Sequence, residues 1–306
     1  MSGWNDFRIE LISNFVSIPT MFTGEEGSVS PVKPITMLRE QSQLVLELCH
    51  FTQDLNPIWE TRTLLQNLKS LSAPAIKRLG QNSCQEDNFK ILVQYFFDDL
   101  AFSIRSSDKN KLQNSFLPNV LVSREGPAPL LMLLFCSLLE EAGIKAQITS
   151  CRVKYLLKVQ LDDKSHIVDF KKSCGFLQPY EIVELINRGF DFSCGALNSD
   201  ILVVEYLNLL KKLSRKENKL QILSMVHSYL MRYQPFNLKH LSERAIVAYE
   251  TGDYRTALDD IRSYFQYKQP EFTNLDLKRI YKVALKKERQ LERQITNAFS
   301  NSIKGL

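Results

Sequence analysis

The chain lacks any C-x-x-C pair. Its six cysteines, Cys49, Cys84, Cys136, Cys151, Cys174 and Cys194, are scattered through 306 residues and never closer than 15 apart. That spacing argues against a structural zinc site and a secreted disulfide framework, and reduced thiols are the expectation. No run reaches the roughly 18 apolar residues of a membrane-spanning helix. A glycine-rich phosphate loop is also missing: Gly24–Gly27 is followed by neither the lysine nor the helix such a loop needs. The first residues, MSGWNDFRIELISNF, carry Asp6 and Glu10 where a signal peptide would be basic. A cytoplasmic protein without a membrane partner is expected. The net charge of +5 is too mild to indicate nucleic-acid binding by itself.

What is present is enough apolar residue, 44%, for one large or two modest domains. The organising stretch is Leu117–Ile144, LPNVLVSREGPAPLLMLLFCSLLEEAGI. It reads as a turn feeding a buried helix. Pro129 suits a first helical turn, where its missing N–H costs nothing. Leu130, Leu131, Leu133, Leu134, Phe135, Leu138 and Leu139 make the helix apolar on most sides. Glu140 and Glu141 should reach water, and Gly143 should cap the end. Strands are expected at Ala146–Cys151, Val153–Gln160 and Ser165–Phe170, the last two joined by a polar turn at Asp162-Asp163. Upstream, residues 1–18 read as a short helix and 19–36 as a linker, with helices at about 37–53, 57–71 and 86–106. Lys171–Leu177 reads as a loop, with a helix near Tyr180–Asn187.

From Ser199 onward the pattern is helical, near 199–214, 217–233, 238–251, 254–268 and 274–298. A repeat recurs at a period of 35: Ser228-Tyr229 with Ser263-Tyr264, Pro235 with Pro270, Asn218 with Asp253, Val226 with Ile261. The second copy, with Ala245 and Ala257 where two helices would touch and Gly252-Asp253 at the turn, resembles a tetratricopeptide repeat.

Leu117-Pro118-Asn119-Val120-Leu121, Arg124-Glu125-Gly126, the apolar helix, Ala142-Gly143-Ile144 and the strand ending Ile167-Val168-Asp169-Phe170 resemble the core of SirB-type transglutaminase-like proteins. The resemblance implies an α+β fold: a transglutaminase-like (papain-like) core with a small antiparallel sheet, then an all-α, tetratricopeptide-like repeat. The domains would be 1–36 (N-terminal segment and linker), 37–195 and 196–306. Active members use a Cys-His-Asp triad, with the thiolate at a helix N-terminus and the imidazole as base. Carried over position by position, the nucleophile falls on Ala128, the base on Lys154 and the acid on Asp169. Methyl and ammonium groups cannot replace thiolate and imidazole. The resemblance therefore implies a vestigial triad, with Lys154 and Asp169 free to pair.

Other residues offer little chemistry. Cys136, about two turns into the helix, should face the core. Cys151 and His166 share neighbouring strands, and Cys174 and Cys194 lie on loops. His50, His227 and His240 stand alone on helical patterns and read as packed or exposed side chains, not ligands. Asp98-Asp99, Asp162-Asp163 and Asp259-Asp260 read as solvated edges. The last helix is locally basic, and Lys278, Arg279, Lys282, Lys286 and Arg289 form its candidate binding surface. The expectation is a non-catalytic scaffold or regulator that binds a protein, without cofactor or metal. The alternatives are a cysteine hydrolase or transamidase using Cys151 or Cys174, and a nucleic-acid-associated helical protein, although nucleic acid is not the expected partner.

Overall fold

The computed structural model describes residues 40–79, 84–106, 111–150, 155–188, 199–267 and 275–304. The expected helix at 1–18 and linker at 19–36 lie outside them. Helices α1 (Gln41–Leu55), α2 (Thr61–Leu79) and α3 (Gln85–Gln94) come first, and α3 widens into a π turn over Tyr95–Asp99. Strand β1 (Ser103–Ile104) then pairs in parallel with β2 (Glu125–Gly126). Between them lies α4 (Leu117–Ser123), a helix where a turn was expected. Its cause is local: Pro118 sits in the first turn, and Leu117, Val120 and Leu121 fall on one buried face. Arg124, at φ 58°, ends it.

Helix α5 (Ala128–Glu141) is buried from Ala128 through Cys136 and again at Leu138 and Leu139. Phe135 is the hub of an aromatic cluster, with ring centroids 5.2 Å from Phe96, 5.8 Å from Phe170, 6.0 Å from Phe97 and 6.3 Å from Phe89. Gly143, at φ 74°, closes the helix, and the Ile144 N–H reaches back to the Leu139 carbonyl at 2.9 Å. Glu140 does not simply reach water. Its carboxylate accepts the Gln41 and Ser42 N–H groups at 3.3 and 2.9 Å, and so caps α1.

The sheet is antiparallel, ordered β3 (Ala146–Ser150), β4 (Leu156–Leu161), β5 (Lys164–Asp169), β6 (Gly175–Phe176). Its register runs from Leu156 opposite Asp169 to Leu161 opposite Lys164. The expected Asp162-Asp163 turn joins β4 to β5, with Asp162 at φ 49°. Strand β6, two residues long, lies inside the expected loop and is too short to carry a strand pattern. Helix α6 (Pro179–Asn187) follows, held by a Gln178–Glu181 capping box.

Helices α7 (Asp200–Lys216), α8 (Leu220–Tyr233), α9 (Leu238–Glu250), α10 (Tyr254–Tyr267) and α11 (Leu275–Lys304) complete the chain close to the expected bounds. Leu202, Val203, Leu207 and Leu210 of α7 belong to the same hydrophobic core as α5, and the Tyr206 hydroxyl donates to the Ser115 carbonyl at 2.9 Å. Tyr229 and Tyr233 of α8 donate hydroxyls to Asp54 and Glu47 of α1.

The two hairpins, α7–α8 and α9–α10, repeat at a period one shorter than expected. The left-handed turn residues are Asn218 (φ 53°) and Gly252 (φ 82°), 34 apart. Each is followed by an N–H bonding the carbonyl five residues back, Lys219 to Ser214 and Asp253 to Ala248, both at 2.8 Å. Asn218 thus matches Gly252 rather than Asp253, and His227 matches Ile261.

Candidate functional site

The start of α5 opens on a groove of about 700 Å³. Ala128 and its flanking prolines form one side, Tyr155 and Lys171 come from the sheet side, and Glu205 and Lys212 of α7 complete it. Cleft and helical region thus share a wall. Among the described residues no cysteine or histidine lines this groove.

The helix start is poorly equipped to hold an anion. Pro127 is the N-cap and Pro129 follows within the first turn, so two backbone donors are missing. The Leu130 and Leu131 N–H groups, both 3.1 Å from the Pro127 carbonyl, are turned back into the helix. Arg105 also borders the groove, but the residue is 7% exposed and its guanidinium is committed elsewhere, to the Asn114 carbonyl at 2.8 Å and the Glu125 carbonyl at 3.0 Å.

Of the mapped triad positions, Ala128 stands on the groove and Asp169 lies buried at the end of β5, opposite Leu156. The Asp169 carboxylate accepts the Lys171 N–H at 3.0 Å and caps the short helical turn after it. The Phe170 N–H donates to the Tyr155 carbonyl at 2.8 Å, so the acid position and the chain beside residue 154 are adjacent. Lys154 itself, with Cys151 and Cys194, lies outside the described residues, and so does any pairing of Lys154 with Asp169.

The buried thiols Cys49, Cys136 and Cys174 are poor nucleophiles. Burial pushes Cys136 up to about 12, with Glu140 adding to it, and pushes Cys49 to about 12 as well. Cys174, 3% exposed, is held well above the ordinary thiol value by burial and by the nearby Cys136 and Asp169. Cys84 is half-buried, with its sulfur 3.8 Å from the Asp162 carboxylate. His166 packs against Phe176, with ring centroids 5.0 Å apart.

The acidic pairs divide. Asp98 and Asp99 are exposed, and Asp99 pairs with Arg78. Asp162 accepts the Gln85 N–H at 3.1 Å, so the hairpin tip caps α3. Asp260 overturns the solvated reading: it is 4% exposed and bound to Arg244 through two hydrogen bonds. On α11, Lys278, Arg279, Lys282, Lys286 and Arg289 are all exposed, while Leu277 and Ala284 turn inward.

Of the histidines expected to stand alone, His50 lies exposed on α1, whereas His227 and His240 come together. His227 on α8 meets His240 and Glu243 on α9, with one ligand atom of each within 4.8 Å of the others. The loop Gln234–Asn237 folds α9 back against α8, a tertiary effect that helical spacing within either segment does not reveal.

The buried apolar helix α5 thus sets its N-terminus on a groove beside the antiparallel sheet. The family profile of the transglutaminase-like superfamily matches residues 62–215, and the chain belongs to that superfamily. The match ends within α7, so it takes in the helix that walls the groove. Nothing among curated proteins or solved structures matches the chain. Among the described residues no helix is long and apolar enough to cross a membrane.

Proposed function

We propose that the protein is a non-catalytic member of its superfamily, of the SirB type, that binds a protein partner. The observation that carries this reading is Ala128 at the start of α5, between two prolines and facing the groove. A methyl group there has no nucleophilic chemistry, and a proline-flanked helix start is short of donors for a thiolate or an oxyanion. The protonated, buried state of Cys136 and Cys174 supports the same reading.

The hairpins α7–α8 and α9–α10, with their 34-residue spacing of turns, are tetratricopeptide-like in this account and form the frame for docking. The exposed cations of α11 favour an acidic surface on the partner. Free cysteines in a reducing cytoplasm fit the unpaired thiols of the core.

The test is fluorescence anisotropy with a poly-glutamate peptide and, separately, an RNA duplex. Replacing Lys278, Arg279, Lys282, Lys286 and Arg289 with Gln is expected to weaken peptide binding at least tenfold. Preference for the duplex, with a steep fall in affinity as salt is added, would contradict the proposal.

A further inference from the structure

His227 is fully buried, yet neither of its ring nitrogens has a hydrogen-bond partner. A buried polar group without a partner is costly. Packing does not demand it, since the matching position of the next hairpin is Ile261, equally buried. The Nε2 atom points toward Glu243, 3.9 Å from Oε2. His240, one turn before Glu243 on α9, is 4% exposed and completes the cluster.

We infer that His227, His240 and Glu243 bind a divalent transition-metal ion of the zinc class, which fastens α8 to α9. Two imidazoles and one carboxylate suit zinc, whereas calcium and magnesium favour more oxygen donors. Tetrahedral zinc places its donor atoms about 3.3 Å apart, so the three side chains close inward from their 4.8 Å spread. Burial holds both histidines below the ordinary imidazole range, His227 at about 3, leaving neutral rings with lone pairs to donate. Lys211 and Arg215 of α7 now supply the positive charge, with Arg215 Nη1 3.9 Å from Glu243 Oε1. The Lys211 ammonium is 2.9 Å from Glu243 Oε2 and 3.5 Å from His240 Nδ1. The metal and that ammonium compete for the same place, so metal binding swings Lys211 outward. The remaining coordination position goes to water.

The experiment titrates the full chain, stripped by chelator, with Zn²⁺ alone in competition with a chromogenic indicator. One equivalent is expected to bind and to raise the melting temperature. His227→Ile should remove binding while the metal-free protein melts no lower than the parent, because Ile261 shows what the position accepts. Glu243→Gln, which keeps shape and loses charge, should weaken binding at least tenfold. Lys211→Met should tighten it at least tenfold, because the ammonium that the metal must displace or face is gone. Co²⁺ should give the visible spectrum of a nitrogen and oxygen site without a thiolate charge-transfer band. No saturable binding, binding that survives His227→Ile or Glu243→Gln, or a Lys211→Met variant no tighter than the parent would overturn the inference. In those cases water satisfies His227, or a thiol elsewhere holds the metal.

Discussion

Arg244 grips Asp260 with two parallel bonds, Nε to one carboxylate oxygen at 2.8 Å and Nη2 to the other at 2.6 Å. The pair joins α9 to α10 inside the second hairpin, with Asp260 almost wholly buried. Removing the guanidinium leaves a buried charge without compensation. Arg244→Met should therefore cost about 3–5 kcal/mol at neutral pH, read as a lower urea midpoint.

The same carboxyl gives a pH dependence. Burial raises Asp260 above its ordinary 3.8, and Arg244 opposes this only in part. The folded chain thus holds this proton more tightly than the unfolded chain. Its contribution to stability is complete below the ordinary carboxylate range and is lost as pH rises through the raised value. Urea midpoints measured between about pH 4 and 7 should show a decline that Asp260→Asn removes. An identical slope in the variant would contradict the assignment.

Gly126 is fixed by Val120. A Cβ at Gly126 would fall 2.7 and 2.9 Å from the two Val120 methyl carbons, and Val120 is fully buried. Gly126→Ala should destabilise by about 1–3 kcal/mol, as overpacking does. In a double-mutant cycle with Val120→Ala, the second change should recover part of the loss. Strict additivity would show that the clash is not the cause.

Phe135 holds four other phenylalanine rings together. Phe135→Ala should cost about 3–5 kcal/mol by chemical denaturation. A loss below 1 kcal/mol would mean that the cluster repacks around the gap.

Thiol accessibility separates the buried sulfurs from reactive ones. Cys49, Cys136 and Cys174 should resist iodoacetamide at about pH 8 in the folded protein and label on unfolding, as read by peptide mass mapping. Rapid labelling of Cys174 in the native state would restore it as a candidate nucleophile.

The fold was most legible where periodicity is strong. Helix α5 and the helices after Ser199 follow from apolar spacing, and the β4–β5 turn from its polar residues. The seven residues of α4 hold too few turns to show a period, and the two of β6 show none. Ser-Tyr and Pro matches in the sequence favour a period of 35, whereas the left-handed turn residues Asn218 and Gly252 set 34. That Ala128 opens α5 follows from the chain's order of motifs. The groove walls supplied by Glu205 and Lys212 do not, because they arrive from a helix more than 70 residues later. His227 with His240, and Arg244 with Asp260, depend on which helix faces meet. That is decided by tertiary packing rather than by local spacing.

Absence of catalysis is checked by following turnover of a glutamine-containing peptide, with and without an added amine, by the purified full chain before and after iodoacetamide. A non-catalytic protein shows no turnover above buffer in either sample, and none gained or lost in single Cys→Ala variants. Turnover that iodoacetamide removes, and that disappears with one particular cysteine, would show a relocated nucleophile and an active enzyme.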